Sequence, residues 1–470
     1  MQVYVVQPGD TLWGISQRYN SSISQIGLLN GLNDWNRLVV GQALVIPELA
    51  KEYVVKQGDS LWGIAQQFGI SVQELAQFNQ ITDPKLLYVG DLLRLPYVRY
   101  TVQPGDSLWA VARRFGVSVE EIMTNNTLSD PALIYAGQTL YIPAPSLPAI
   151  DVNAYTTSID SQGAQEVLYL GRNFTYLSPF MHSVRNDGSV SNIEDAPLLE
   201  AAQANDVAPL FVLTNFAEGS FDSDLAATIL RNPELQNKVI SNVLNKMAEK
   251  HYSGLNIDFE YVYPEDRQNY NDFLKRVTEQ LHERGYIVST ALAPKISGDQ
   301  QGLLYEAHDY AQQAQIVDFI ILMTYEWGWA GGRPWAIAPI NKVKEVLDYA
   351  VTVIPRDKIV MGVPLYGRDW KIPWVEGTYA RTVSPKQAVQ LASLYGVPIQ
   401  YNEQYQSPYF RYADEQGQQH EVWFEDARSV QAKYDVVKEY GLRGISYWVL
   451  GNPFPQNWPV LQTNFTVHKR

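Results

Sequence analysis

The sequence predicts a multidomain chain: three small βααβ modules followed by an α/β (β/α)8 barrel carrying a small α+β insertion. Three observations lead there. One segment occurs three times near the start of the chain, the remainder alternates short apolar strands with amphipathic helices, and residues 253 to 260 place polar side chains on one face of a strand. At 470 residues the chain exceeds what one hydrophobic core serves. Its 46% hydrophobic and 18% charged residues suit packed domains rather than disorder.

The repeated segment runs Tyr-Val-Val-Gln-Pro-Gly-Asp-Thr-Leu-Trp from Tyr4 and returns, little changed, from Tyr53 and Tyr100, at spacings of 49 and 47 residues. Each copy closes on a glycine, a β-prone run and a proline: Gly41 to Pro47, Gly90 to Pro96, Gly137 to Pro143. Between these ends lie two helical patterns, Leu12 to Tyr19 and Ser24 to Leu29 in the first copy. The modules are expected at 2–48, 52–97 and 99–144, and the proline-rich stretch at 145–150 reads as a short stiff linker. Trp13, Trp62 and Trp109 recur at helical spacing and are expected in the module cores.

Residues 151–468 are expected to form the barrel. Its strands read as Val152 to Ser158, Tyr176 to Val184, Pro209 to Thr214, Gly254 to Tyr261, Ile287 to Ala293, Phe319 to Tyr325, Val360 to Tyr366 and Gly444 to Val449. The stretch 370–426 is too long for a connection and carries a helical run, Ser384 to Tyr395, so it reads as an α+β insertion between the last two strands.

The fourth strand, Ser253-Gly-Leu-Asn-Ile-Asp-Phe-Glu260, sets Asn256, Asp258 and Glu260 on one face and Leu255, Ile257 and Phe259 on the other. A half-exposed strand with a solvated acidic face would show the same alternation. The flanking helical patterns, Asn232 to Lys250 and Glu265 to Gly285, favour a buried parallel strand instead, whose inward residues near its carboxyl end face the barrel mouth. Two carboxyl groups about 7 Å apart along a strand perturb each other's titration, which suits an acid that must stay protonated near neutral pH.

The formal charge of −14 argues against nucleic-acid or anionic-membrane binding. No cysteine is present, and the six histidines show no metal-binding spacing, so no metal and no cofactor are expected. No membrane-spanning run and no secretory signal are visible.

The three repeats resemble the LysM module, which binds N-acetylglucosamine-containing glycans. That resemblance implies glycan contacts at Gly9, Asp10, Thr11 and Leu12, at Gly58, Asp59, Ser60 and Leu61, at Gly105, Asp106, Ser107 and Leu108, and opposite them at Asn30, Asn79 and Asn125. Helix capping competes for the Asp and Ser/Thr positions, where it contributes about 1 kcal/mol. Three sites on one chain also imply avidity for a repeating polymer.

The barrel resembles glycoside hydrolase family 18, the chitinase and N-acetylglucosaminidase family. The carriers are Asp258 and Glu260 of its Asp-x-x-Asp-x-Asp-x-Glu signature, Met323-Thr-Tyr-Glu326, Met361-Gly-Val-Pro-Leu-Tyr-Gly-Arg368 and Ser446-Tyr-Trp448, in the family's order. Ser253 and Asn256 replace the first two aspartates, Glu326 stands for Asp, and Leu213-Thr-Asn-Phe216 replaces a Ser-x-Gly-Gly motif. The resemblance implies a substrate-assisted mechanism with Glu260 as acid and base, Asp258 orienting the substrate acetamide, Tyr325 holding its carbonyl oxygen and Trp448 under the sugar ring. Asn256 is expected to contact substrate and to orient Asp258 by hydrogen bonding without raising its pKa, while Asn215, Glu326 and Arg368 are weaker candidates for substrate contact or support.

Repeats and barrel together resemble the spore-germination N-acetylglucosaminidases of endospore-forming bacteria. This implies cleavage of cortex peptidoglycan and deposition at the spore coat or cortex surface from the mother cell. A chitinase or general wall autolysin remains open, as does a glycan-binding or spore-coat protein without activity. Oligomeric state is undetermined.

Overall fold

The computed structural model describes residues 1–48 and 51–470. Each N-terminal module is an antiparallel strand pair with two helices between. Gln2–Val5 pairs with Ala43–Ile46, Glu52–Val54 with Leu92–Arg94, and Tyr97–Thr101 with Thr139–Pro143. In the first module the helices are Leu12–Arg18 and Ile23–Leu29, capped by Thr11 and Ser22. An asparagine then ties the second helix to the closing strand. Asn30 donates from Nδ2 to the carbonyls of Ile26 (2.8 Å) and Val45 (2.7 Å) and accepts the Val45 N–H at 2.7 Å. Asn79 does the same between Leu75 and Arg94. In the third module this brace is Asn126, which bridges Ile122 and Tyr141.

The barrel strands are β1 Ala149–Thr156, β2 Tyr176–Pro179, β3 Ala208–Thr214, β4 Gly254–Asp258, β5 Ile287–Leu292, β6 Phe319–Leu322, β7 Ile359–Pro364 and β8 Gly444–Trp448. All pair in parallel, each with its sequence neighbour, and β8 pairs with β1 to close the ring. All eight expected strands exist, although several end two or three residues early because the chain turns at the mouth. β1 begins at Ala149, inside the stretch expected as linker. Helices Pro233–Lys250 and Arg267–His282 flank β4 and cover the outward residues Leu255, Ile257 and Phe259, all buried. The insertion is a five-stranded antiparallel sheet with the helix Pro385–Leu394 and starts at Gly367, directly after β7.

The modules are not equally attached. The first docks on the barrel domain and its insertion: Gln456 donates to Asn30 Oδ1 (2.9 Å) and the Ala43 carbonyl (2.7 Å), and the Ile399 N–H reaches the Val40 carbonyl at 2.9 Å. The second docks through a buried Arg172–Asp91 ion pair at 3.0 Å and a Thr82–Ala204 bond at 2.9 Å. Among the described residues, no hydrogen bond or ion pair joins 98–143 to the other modules or to the barrel, and this module keeps its own apolar core.

An independent core should melt independently. Asn126→Ala removes three bonds, one part-buried and two exposed, and is expected to destabilise the third module by about 1–2 kcal/mol, whereas Asn125→Ala, which loses one exposed bond to Tyr141, changes it by less than about 0.5 kcal/mol. Calorimetry of the full chain checks this as movement of one minor transition.

Candidate active site

The inward side chains of β4 build the site from the bottom up. Asn256 is fully buried; its Oδ1 accepts the Tyr155 hydroxyl at 2.7 Å and its Nδ2 donates to Ser289 Oγ at 3.0 Å. Its amide is thus spent on β1 and β5. It neither faces substrate nor bonds Asp258, which corrects both roles expected for it. Above it Asp258 is 4% exposed, and its Oδ1 has no hydrogen-bond partner among the described residues. Burial pushes the Asp258 carboxyl well up, with no contribution from Asn256. Glu260, half-buried at the strand's exit, is also pushed up, by burial first and then by the charges of Asp258 and Glu326.

The peptide between Phe259 and Glu260 is pinned at both ends. His308 is buried and its pKa falls to about 4, so the ring is neutral; Nδ1 accepts the Ala293 N–H at 2.8 Å and Nε2 donates to the Phe259 carbonyl at 3.0 Å. From the other side Asn215 accepts the Glu260 N–H at 3.0 Å and donates to the Glu260 carbonyl at 2.9 Å. Asn215 is fully buried, so of the two roles expected for it, substrate contact or support, the geometry fits support of the Glu260 peptide. His308 escaped the sequence reading because a lone histidine on no motif gives no signal.

Tyr325 follows β6. Burial first, and then the carboxylates of Asp258, Glu260 and Glu326 once ionised, push its phenol well up, so it remains a hydroxyl donor. Gly362 makes room for it, since a Cβ there would lie 2.7 Å from the ring. Glu326 sits in the left-handed region at φ 68° and accepts on Oε1 from the Tyr366 hydroxyl and from Arg368 at 2.8 Å. Arg368 also bonds Thr382 and stacks over Tyr366, so it is committed to support rather than to substrate. Trp448 ends β8 half-buried, edge-on to Tyr155 (5.5 Å) and Phe180 (4.9 Å).

In the modules, most expected glycan contacts have structural work. The Asp10, Asp59 and Asp106 carboxylates accept the hydroxyls of Tyr4, Tyr53 and Tyr100 and the N–H groups of Gln7, Lys56 and Gln103. Thr11, Ser60 and Ser107 cap helices, while Leu12, Leu61 and Leu108 lie in the cores. Asn30 and Asn79 are braces, and Asn125 is one residue out of register with the brace of its module. Gly9, Gly58 and Gly105, at φ 85°, 87° and 88°, face open space. Trp13, Trp62 and Trp109, expected in the cores, are 65%, 65% and 63% exposed. The core face of the first helix runs Leu12, Ile15 and Tyr19, and Trp13 lies about 100° around the helix from Leu12.

Among the described residues no group of three His, Asp or Glu side chains converges as a metal site requires, and no helix is long and apolar enough to cross a membrane.

Residues 217–452 match the family described as glycosyl hydrolases family 18, and residues 4–47, 53–96 and 100–143 match the LysM domain. The chain is 42% identical to the cortical fragment-lytic enzyme of Bacillus subtilis, over 100% of this chain and 99% of that protein. It is 46% identical to the cortical fragment-lytic enzyme of Bacillus anthracis over 70% of this chain and 78% of that one. Its fold is similar to the crystal structure of the Bacillus megaterium spore cortex-lytic enzyme SleL, with a TM-score of 0.79 and 36% identity, covering 100% of this chain and 99% of that chain.

Two outcomes follow from the geometry. A carboxyl whose folded pKa is raised contributes most below its unfolded value near pH 4, and that contribution is lost as pH rises through the folded value. Asp258→Asn is therefore expected to raise Tm by a few degrees at pH 8 and to leave it unchanged at pH 4, read by thermal denaturation. Asn215→Ala, which frees the Glu260 peptide, is expected to lower kcat about 10²-fold with little change in KM, read by steady-state kinetics.

Proposed function

The chain belongs to glycosyl hydrolase family 18 and carries three LysM modules, and from that premise we propose that it degrades spore-cortex peptidoglycan as an N-acetylglucosaminidase, cleaving the β-1,4 bond after N-acetylglucosamine. The observation that carries the catalytic part is the stacking of a buried, unpartnered Asp258 beneath a mouth-facing Glu260, with both carboxyls raised by burial.

Glu260, protonated near neutral pH, gives its proton to the glycosidic oxygen as the bond from C1 breaks. The carbonyl oxygen of the substrate's own 2-acetamido group closes on C1, forming an oxazolinium ion with retained configuration after water completes the cycle. Asp258 accepts the acetamide N–H; its free Oδ1 supports that role, because a buried acceptor without a partner costs about 1–3 kcal/mol until substrate supplies one. Tyr325 donates to the acetamide carbonyl, and Trp448 lies beneath the sugar ring. Glu260, now ionised, takes the proton of the attacking water and returns to its starting form.

The modules hold the glycan while the barrel cuts. Similarity to cortex enzymes supports a spore-associated role, and we place the protein at the coat or cortex surface with peptidoglycan as its partner.

Digestion of purified cortex fragments, with mass spectrometry of the new reducing ends, tests this reading. Wild type is expected to release fragments ending in N-acetylglucosamine, and Glu260→Gln to bind them while turnover drops at least about 10³-fold. Binding by both proteins with turnover by neither would make the barrel a glycan-binding scaffold.

A further inference from the structure

The loop after β6, residues 327–335, and the 373–380 turn of the insertion meet on one side of the mouth, where the Ala380 N–H donates to the Ala330 carbonyl at 2.8 Å and Trp370 Nε1 to the Gly332 carbonyl at 2.9 Å. Where they meet stands Arg333, its guanidinium 5.4 Å from the centre of the Trp374 ring. Among the described residues Arg333 has no ion pair and no hydrogen bond, whereas Arg368 and Arg381, the other guanidiniums of this region, are spent on Glu326 and Asp369. The indole N–H groups of Trp374 and Trp335 are buried and also lack acceptors. Both rings pack in the aromatic cluster that Tyr325 and Trp448 join, so this corner is continuous with the packing around the catalytic centre.

We infer that Arg333, held on Trp374, forms a carboxylate-reading subsite that selects anionic peptidoglycan over neutral chitin-like glycans, an inference that rests on the peptidoglycan reading above. Chitin offers hydroxyls and acetamides throughout. Peptidoglycan adds muramic sugars, and wherever their lactyl ether ends in a free acid or in a short peptide the glycan carries carboxylates that chitin lacks. A guanidinium meets a carboxylate with two parallel N–H bonds, and stacking on an indole fixes the plane of that fork in advance. The neighbouring Trp329, 51% exposed, lies over the backbone of Gly331 and Gly332, where a Cβ would approach its ring to 2.4 and 2.6 Å. Edge-on to it at 6.5 Å stands Tyr379, 76% exposed. These two rings offer apolar faces for the sugar that carries the carboxylate. The charge balance makes the cation matter: a chain of net charge −14 repels an anionic polymer unless a local positive group receives it.

Cortex fragments with free carboxyl groups, and the same fragments converted to neutral amides with carbodiimide and ammonia, separate charge from sugar. The readout is the ratio of kcat/KM on the acid form to that on the amide form. Wild type is expected to show a ratio of about ten, Arg333→Gln about one, and Arg333→Lys an intermediate value, with thermal denaturation confirming that each variant is folded. A wild-type ratio near one, or a ratio that Arg333→Gln leaves unchanged because both rates fall together, overturns the inference. Failure of wild type to cut either form overturns the peptidoglycan reading itself, and this inference with it.

Discussion

Two carboxyl groups held out of water without a counter-ion are the constraint around which the catalytic domain is arranged. An isolated ionised carboxylate in a protein interior costs several kcal/mol, and the group escapes that cost by staying protonated. The surroundings of Asp258 and Glu260 enforce this choice. Asn256 beneath Asp258 is neutral, His308 behind the Phe259–Glu260 peptide is neutral, and the Arg368 guanidinium is turned to Glu326. A cation given to Glu260 would have held it ionised and removed the acid. Placing Arg368 on Glu326 does the opposite, since it compensates a third carboxylate at the mouth while the pair below remains bare.

Such a pair is useful only if it is also rigid, and here rigidity comes from backbone bonds instead of side-chain bonds. Neither the Asp258 nor the Glu260 carboxyl is tied to a neighbour by a hydrogen bond or ion pair among the described residues. The peptide that carries Glu260 is fixed by Asn215 on β3's exit and by His308 beyond β5, two residues that never reach the cleft. Orientation is thus assigned to the main chain and reactivity is left to the side chains. The parallel barrel makes this possible, because loops following β3 and β5 converge on the end of β4 from both sides.

That division explains what was legible in the sequence. The alternation in Asn256-Ile-Asp-Phe-Glu260 records strand period and burial directly, and the eight barrel strands follow from the same signal. His308 left no such record, and Asn215 showed only as a departure from a family motif without its role, because their partners are backbone atoms that any sequence supplies. In the modules the repeat revealed the fold at once, yet misplaced individual side chains. Trp13, Trp62 and Trp109 follow a core leucine by one residue, and a single step of about 100° on a short helix separates core from solvent. The pairing Asn125-Asn126 presented two candidates for one brace, and only the distance to Tyr141 and Ile122 distinguishes the residue that holds both ends.

The unequal docking of the modules sets how the chain can meet a polymer. The first two are fixed to the catalytic domain by buried bonds such as Gln456 to Asn30 and Arg172 to Asp91, so their open turns at Gly9 and Gly58 hold a constant place relative to the mouth. The third is tied at its base, where the Tyr97 hydroxyl donates to the Gly69 carbonyl and the Ala144 N–H to the Pro96 carbonyl, both at 2.8 Å, and among the described residues no hydrogen bond or ion pair joins 98–143 to the body. A rigid module raises local glycan concentration only for strands that already lie in register with the cleft, whereas a hinged one samples a shell of positions and keeps a released strand near. On the proposed glycan-binding reading, a module with its own core and few ties to the body can keep a polymer near while the docked modules and the cleft release it and take up the next bond.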